Sequence, residues 1–315
     1  MGDFLISVVL PVYNEEKQIQ ESIKVIHKIL KDKDINHEFV LVDDGSRDNT
    51  WKAIKEASAK FPRIRAVKFS RNFGKEAALC AGLEAATGDA CIVLDADLQH
   101  PPEIIPEMVR LWREEGYEVV EGVKTSRGNE SFTNKVAALM FYKVMHKLSG
   151  LDLNGASDFK LMDAKVIAAW KMLNERNTFF RGMTAWVGFK RIEIPFMVVD
   201  RARGKSKWSI LRLFKLAVTA ITSFSSLPLQ VVTFLGVAFL ICSIPMAVET
   251  LYLKFRGEAV SGFTTVILLL LIIGSALMIS LGIIGTYIAK IFDEVKYRPR
   301  YLVAETLGND NDVKK

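Results

Sequence analysis

The chain has 315 residues, enough for about two domains at ~100–200 residues each, and 42 Lys and Arg against 36 Asp and Glu leave a net charge of +6. Half of the residues are hydrophobic, a quarter are charged and the mean hydropathy is +0.19, which excludes a disordered chain and a protein made only of membrane spans. The charges are unevenly spread: Leu216 to Val248 has none in 33 residues and Ala259 to Ala289 none in 31, so a water-soluble globular protein is excluded too.

In chain order, the apolar run Phe4 to Val12 follows Asp3 rather than a basic residue and lacks a small-residue cleavage site, so no targeting signal is expected and the N-terminal part should stay in the cytosol. Strands are predicted over Leu5 to Pro11, Glu38 to Val42, Ile64 to Phe69, Cys91 to Leu94 and Glu118 to Val123. Helices are predicted between them over Glu15 to Lys31, Asn49 to Lys60, Lys75 to Ala86 and Pro102 to Glu115. Strands separated by helices of this length imply an α/β domain with a mainly parallel sheet covered on both faces. Ligands of such sheets bind outside the carboxyl ends of the strands. Those ends are acidic here: Tyr13-Asn14-Glu15-Glu16, Asp43-Asp44-Gly45-Ser46 and Asp95-Ala96-Asp97-Leu98-Gln99. Each alone reads equally as a turn or a helix cap. Three on one edge call for a compensating cation, and a divalent metal bound together with a nucleotide supplies one.

Other chemistries lack their residues. No G-x-G-x-x-G follows a strand, Gly204-Lys205-Ser206 has Val199 where a P-loop needs glycine, and no G-x-S-x-G is present. His27, His37, His100 and His146 form no metal spacing, and Cys80, Cys91 and Cys242 form no C-x-x-C pair and read as small buried hydrophobes.

Toward the C-terminus, Thr133 to Leu148 and Trp208 to Ile221 carry apolar residues at helical steps beside cations. The second fits a helix lying in a headgroup layer, and the first fits that or a packed surface helix. Apolar spans are predicted over Leu227 to Leu253, with Pro245 inside, and Thr264 to Ile291. Lys205, Lys207, Arg212 and Lys215 before the pair, and Lys290, Lys296, Arg298 and Arg300 after it, outnumber Lys254 and Arg256 between, which places both flanks in the cytoplasm. The expected organisation is a catalytic domain over residues 1–205, a juxtamembrane helix over 206–226, a two-helix hairpin over 227–291 and a cytoplasmic tail over 292–315. With Glu249 near the far end of the first span and Lys290 at the exit of the second the only charges inside them, the hairpin reads as an anchor rather than a pore. Gly274, Gly282 and Gly285 could also let copies of the chain pack as a homo-oligomer.

These motifs together resemble the family 2 glycosyltransferases that act on polyprenyl phosphates, which include dolichyl-phosphate mannose synthases and bacterial bactoprenol glucosyltransferases. The likeness rests on V-V-L-P-V-Y-N-E-E at Val8 to Glu16, V-D-D-G-S at Val42 to Ser46 and S-R-N-F-G-K at Ser70 to Lys75. It continues in D-A-D-L-Q-H-P-P-E at Asp95 to Glu103, S-D-F at Ser157 to Phe159, F-F-R-G at Phe179 to Gly182 and R-A-R-G-K-S-K at Arg201 to Lys207. Paired C-terminal spans are similar to the bactoprenol enzymes in particular. The resemblance implies an A-type glycosyltransferase fold in an inner-membrane protein that moves a hexose from a nucleotide sugar to undecaprenyl or another polyprenyl phosphate, for cell-envelope glycans. UDP-glucose is the expected donor, ahead of UDP-N-acetylglucosamine, UDP-galactose and GDP-mannose.

By the same resemblance Pro11, Tyr13, Glu15, Asp43 and Asp44 hold the nucleoside, and Asp95, Asp97 and Gln99 hold the sugar nucleotide with Mg²⁺ or Mn²⁺. Arg203 and Lys205 close over the diphosphate, and Asp158 is a base or a positioning group. Lys124, Arg127 and Arg181 are candidates for gripping the acceptor phosphate. That phosphate has a second pKa of about 6 and is already largely an anion near neutrality, so no strong base is required. A flippase is a possible partner; nucleic acid is not expected as one. A processive polysaccharide synthase would need Q-x-x-R-W, which is absent, while a catalytically idle scaffold that binds sugar nucleotides is the rival of another class.

Overall fold

The first apolar run forms β1 (Ile6–Val12), buried along nearly its whole length, as a central strand covered on both faces must be. A computed structural model of the chain describes residues 4–124, 157–173, 175, 179–196, 227–257 and 262–308. It divides into two units, Met1–Ser209 with Arg298–Lys315, and Ile210–Tyr297.

In the first unit β1 is joined by β2 (His37–Asp43), β3 (Ile64–Phe69), β4 (Ala90–Val93), β5 (Val119–Lys124), β6 (Lys160–Asp163), β7 (Arg191–Phe196) and β8 (Val303–Leu307). They form one sheet in the order β7-β5-β6-β4-β1-β2-β3-β8. The first four strands are parallel, with Val9 opposite both Val40 and Val93. β6 enters antiparallel between β4 and β5, and β5 pairs parallel with β7. The sheet is thus mainly parallel, as the alternating pattern implies, with two antiparallel additions outside the segment that pattern covers.

α1 (Ile19–Asp32), α2 (Thr50–Lys60), α3 (Lys75–Ala85) and α4 (Ile105–Glu115) link these strands, and α5 (Ala164–Lys171) and α6 (Phe180–Trp186) follow β6. α1 puts Ile19, Ile23, Ile26 and Leu30 on one buried face. It starts after Glu15 rather than on it, because a turn holds the Gln18 and Ile19 N–H groups on the Glu15 carbonyl; Glu15 therefore stays in the loop at the strand end. α3 is apolar nearly all round and packs so tightly that a Cβ on Gly82 would overlap Val9. Cys80 and Cys91 are buried, whereas Cys242 is exposed.

β8 belongs to the segment read as a tail. It closes the open edge of β3, and Tyr301 stacks on Phe69 at 4.7 Å between ring centres. Glu305 accepts the Trp51 indole N–H at 2.8 Å and pairs with Lys55. Nothing in a five-residue run, separated from its partner strand by most of the chain, announces such pairing locally. An edge covered in this way is protected from pairing with other chains.

The second unit contains α7 (Leu227–Phe255) and α8 (Phe263–Val295). Pro245 lies inside a single uninterrupted helix. Pro228–Phe255 and Leu269–Val295 have mean hydropathies of 2.4 and 2.3 and no buried residue in their most apolar windows, and each is long enough to cross ~30 Å of hydrocarbon. The Thr250 and Ser275 hydroxyls return to the Met246 and Leu271 carbonyls at 2.7 Å, so these polar groups are satisfied within their own helices. The amphipathic segments at residues 133–148 and 208–221 lie outside the described residues.

Candidate active site

Strand direction decides which residues can meet. The carboxyl ends of β1 to β4 share one edge of the sheet, and β5 runs the same way because β6 is antiparallel to both β4 and β5. β6 begins at that same edge, so its lead-in residues Ser157, Asp158 and Phe159 arrive beside the loop that leaves β4. The acidic ends read from the sequence are therefore joined there by Asp158 and by Lys75, which opens α3.

The first two loops are laced together. Asn14, at a positive φ of 56°, donates its N–H to Ser46 Oγ, and its side chain accepts the Arg47 N–H, both at 2.9 Å. Gly45 also has a positive φ of 66°, and a Cβ there would overlap the Arg71 backbone, so only glycine fits this close approach. Pro11 lies within β1, and Tyr13 stands 41% exposed at the rim.

Asp43 and Asp44 are both buried but differently used. Asp44 accepts the N–H groups of Phe73 (2.6 Å) and Gly74 (3.0 Å), so it clamps the loop before α3. Burial raises the Asp44 carboxyl above its ordinary range, against those two N–H groups. Asp43 accepts the Ser46 N–H through Oδ1 at 2.8 Å, while its buried Oδ2 has no hydrogen-bond partner. A buried carboxylate oxygen left in this way is costly unless a ligand donates to it.

The loop after β4 presents Asp95, Asp97 and Gln99. Leu98 at a φ of 55° turns the chain so that the Gln99 N–H reaches back to Asp97 Oδ1 at 3.1 Å, and Ser22 of α1 anchors the loop through the Ala96 carbonyl. Glu15 faces this loop. Its carboxyl is raised by burial and then by the negative charges of Asp97, Asp48 and Asp95. The acidic groups from the first, second and third loops thus share one electrostatic field.

Two cations stitch that field to Asp158. Lys75 Nζ bridges Asp95 Oδ1 (2.5 Å) and Asp158 Oδ2 (2.8 Å). Arg181, on α6 (Phe180–Trp186), grips Asp158 with Nε at 2.7 Å and Nη2 at 3.0 Å. Burial alone would raise the Asp158 carboxyl, but Arg181 and Lys75 outweigh it and hold the group far below the usual carboxylate range. Behind this cluster Lys160 pairs with Glu121 at 3.2 Å, both almost fully buried, and donates to Thr184 of α6 at 2.9 Å. Burial lowers the Lys160 ammonium despite Glu121.

Among the described residues no set of three or more His, Cys, Asp or Glu side chains is gathered as a metal-binding group. The donors present are hard oxygens, with Asp95 already on Lys75. That set fits Mg²⁺ or Mn²⁺ with phosphate oxygens as its other ligands. Lys124 ends β5 at the same edge, whereas Arg127, Arg203 and Lys205 lie outside the described residues. Lys75 stands in the S-R-N-F-G-K motif, yet no spacing signals that its side chain crosses to Asp95 and Asp158.

A mainly parallel sheet whose acidic loops gather at the carboxyl edge, bound together by cations and followed by two apolar helices, is the architecture of a membrane-associated A-type glycosyltransferase. Residues 7–169 match the family model Glycosyl transferase family 2, and the chain belongs to that family. It is 38% identical over 307 residues to the uncharacterized glycosyltransferase YkcC of Bacillus subtilis (strain 168), covering 97% of this chain and 95% of the relative. The SfII prophage-derived bactoprenol glucosyl transferase of Shigella flexneri is 35% identical over 308 residues, or 96% of this chain and 98% of that one. Among solved structures, glucosyl-3-phosphoglycerate synthase of Mycobacterium tuberculosis with UDP is a more distant likeness. It has a TM-score of 0.47 and 22% identity over 70% of this chain and 79% of that one.

Proposed function

We propose that this glycosyltransferase moves glucose from UDP-glucose to undecaprenyl or another polyprenyl phosphate, in a single displacement that inverts the anomeric carbon. The observation that carries the proposal is the convergence at one sheet edge of an unpartnered Asp43 oxygen, the Asp95–Asp97 loop and the Lys75–Asp158–Arg181 cluster. Relatives named bactoprenol glucosyl transferases, matching along nearly the whole chain, support the choice of sugar and acceptor.

In this reading Asp43 Oδ2 accepts a hydrogen bond from the base or ribose, with Tyr13, Pro11 and Glu15 around it. Asp44 serves the nucleoside indirectly, by holding the loop before α3. Asp97 and Gln99, with Asp95 beside them, would hold Mg²⁺ or Mn²⁺. The ion supplies charge neutralisation for the departing diphosphate, and Arg203 and Lys205 add positive charge over the same group. The acceptor phosphate, ionised near neutral pH, brings its own nucleophilic oxygen. That oxygen bonds to the anomeric carbon as the bond to the diphosphate breaks and its electron pair leaves with UDP. A carboxylate held as low as Asp158 is a poor proton acceptor, so its role is to position Lys75 and Arg181. Because Arg181 is engaged with Asp158, the acceptor phosphate falls mainly to Lys124 and Arg127.

Membrane attachment follows from the helix pair. Strands of one sheet come from both sides of it in the sequence, β1 to β7 before and β8 after, and two crossings return the chain to the side it left. Both flanks would then lie with the catalytic unit in the cytoplasm, as the basic residues already favour.

Asp43→Ala should weaken UDP binding by about tenfold to a hundredfold, the value of a hydrogen bond to a charged group. Calorimetric titration with UDP checks this, and unchanged affinity would remove Asp43 from the nucleoside site. Donor choice is tested by offering labelled UDP-glucose, UDP-N-acetylglucosamine, UDP-galactose and GDP-mannose with undecaprenyl phosphate and Mg²⁺ or Mn²⁺. Preferential glucose transfer is expected, and preferential transfer of another sugar would replace the donor assignment.

A further inference from the structure

Glu76 follows Lys75 in the first turn of α3, beside the charged cluster but outside every motif role considered above. Its Oε2 accepts the Phe180 N–H at 2.8 Å. Phe180 is the first residue of α6, and the residue before it, Phe179, makes no side-chain cap there. The N–H groups at a helix start have no partner within the helix, so a carboxylate 104 residues distant in sequence acts as the cap. The next residue is Arg181, which grips Asp158. One turn further, the Thr184 hydroxyl is fixed by Lys160 and returns to the Phe180 carbonyl. The start of α6 is thus pinned at two points, Glu76 on its amide side and Lys160 behind. α3 also supplies both halves of the arrangement, because Lys75 bridges Asp95 and Asp158 while Glu76 holds the helix that carries Arg181.

We infer that Glu76 is a positioning residue, whose carboxylate fixes the start of α6 so that Arg181 stays aligned on Asp158. The groups that face it are Asp158, Arg181, Lys75 and the Phe180 N–H. Burial pushes its carboxyl up to about 7, and the negative charge of Asp158 adds to this while the Phe180 N–H, Arg181 and Lys75 oppose it. The ionised form is the stronger acceptor for an N–H donor. The hold on α6 therefore strengthens as pH rises through neutrality and weakens below it.

The activity arm of the test rests on the proposed transfer reaction. Using the full chain in detergent, Glu76→Ala should lower kcat about tenfold, the scale of one buried hydrogen bond, while KM for UDP-glucose stays within about threefold. Glu76→Gln keeps an oxygen for the Phe180 N–H and should recover part of that loss at about pH 8. It should also move the lower limb of the pH profile from near 7 toward the acceptor phosphate, near ~6. Equal damage from Gln and Ala, or a limb that does not move, overturns the inference. An infrared titration of the protonated-carboxyl band, wild type minus Glu76→Gln, reads the group without any turnover. A band that titrates near pH 7 supports the assignment, and none there contradicts it. Failure of the wild type to transfer any sugar would instead count against the reaction.

Discussion

Asp158→Asn should lower the transfer rate by about a thousandfold, and above the Glu76 limb the loss should be the same from about pH 8 to about pH 9.5. The size follows from breaking a cluster that holds two cations in place, since ~4 kcal/mol of lost alignment corresponds to about a thousandfold in rate. Asp158 is nearly buried, at 10% exposure, and it is the shared partner of Lys75 and Arg181. Removing one member of such a pair leaves the others uncompensated. The flat profile follows from the direction of its shift. A carboxyl held below its unfolded value is charged throughout this range, and the stability it contributes is present above the unfolded pKa and lost only as pH falls toward the folded one. A general base would give another result, because added hydroxide would partly replace it. Relief of the Asp158→Asn defect as pH rises would therefore restore the base assignment.

Asp97→Ala should lower metal-dependent transfer by about a hundredfold to a thousandfold, without a matching loss of UDP affinity measured in the absence of metal. Deleting one charged group that acts on the developing negative charge typically costs ~10²–10³ in rate. Asp97 also gives up the Gln99 N–H when truncated, which loosens the turn at Leu98. Added Mg²⁺ or Mn²⁺ should not restore the rate, because Asp95 is already drawn to Lys75. Full turnover, or an unchanged dependence on metal concentration, would remove Asp97 from the metal site. Titrating metal against initial rate in both proteins distinguishes the outcomes.

Much of this architecture was legible in the residues. The alternation of short apolar runs with helical segments located β1 to β5 and α1 to α4 to within a few residues, because each run is bounded by turn residues and each helix by its apolar face. The two long apolar helices were equally clear, since length and hydropathy alone mark a helix able to cross a bilayer. Orientation of individual oxygens was not. Asp43 and Asp44 are neighbours of identical chemistry, yet one clamps the loop before α3 and the other keeps an oxygen without a partner. The difference lies in which backbone N–H groups the folded chain brings to each: Ser46 alone to Asp43, Phe73 and Gly74 to Asp44. In the same way the Lys75 bridge to Asp95 and Asp158 joins three segments distant in sequence, through the antiparallel entry of β6. β8 stayed hidden because its pairing partner, β3, lies on the far side of both apolar helices in the chain.

The most direct test of the central claim is lipid labelling by the purified full chain. Incubated with radiolabelled UDP-glucose, undecaprenyl phosphate and Mg²⁺ or Mn²⁺, the wild type should release UDP and place label in the organic extract, while Asp97→Ala under the same conditions should place almost none. Tight binding of UDP with no sugar reaching the lipid, from this donor or any other, would contradict the account and leave a sugar-nucleotide-binding membrane protein in its place.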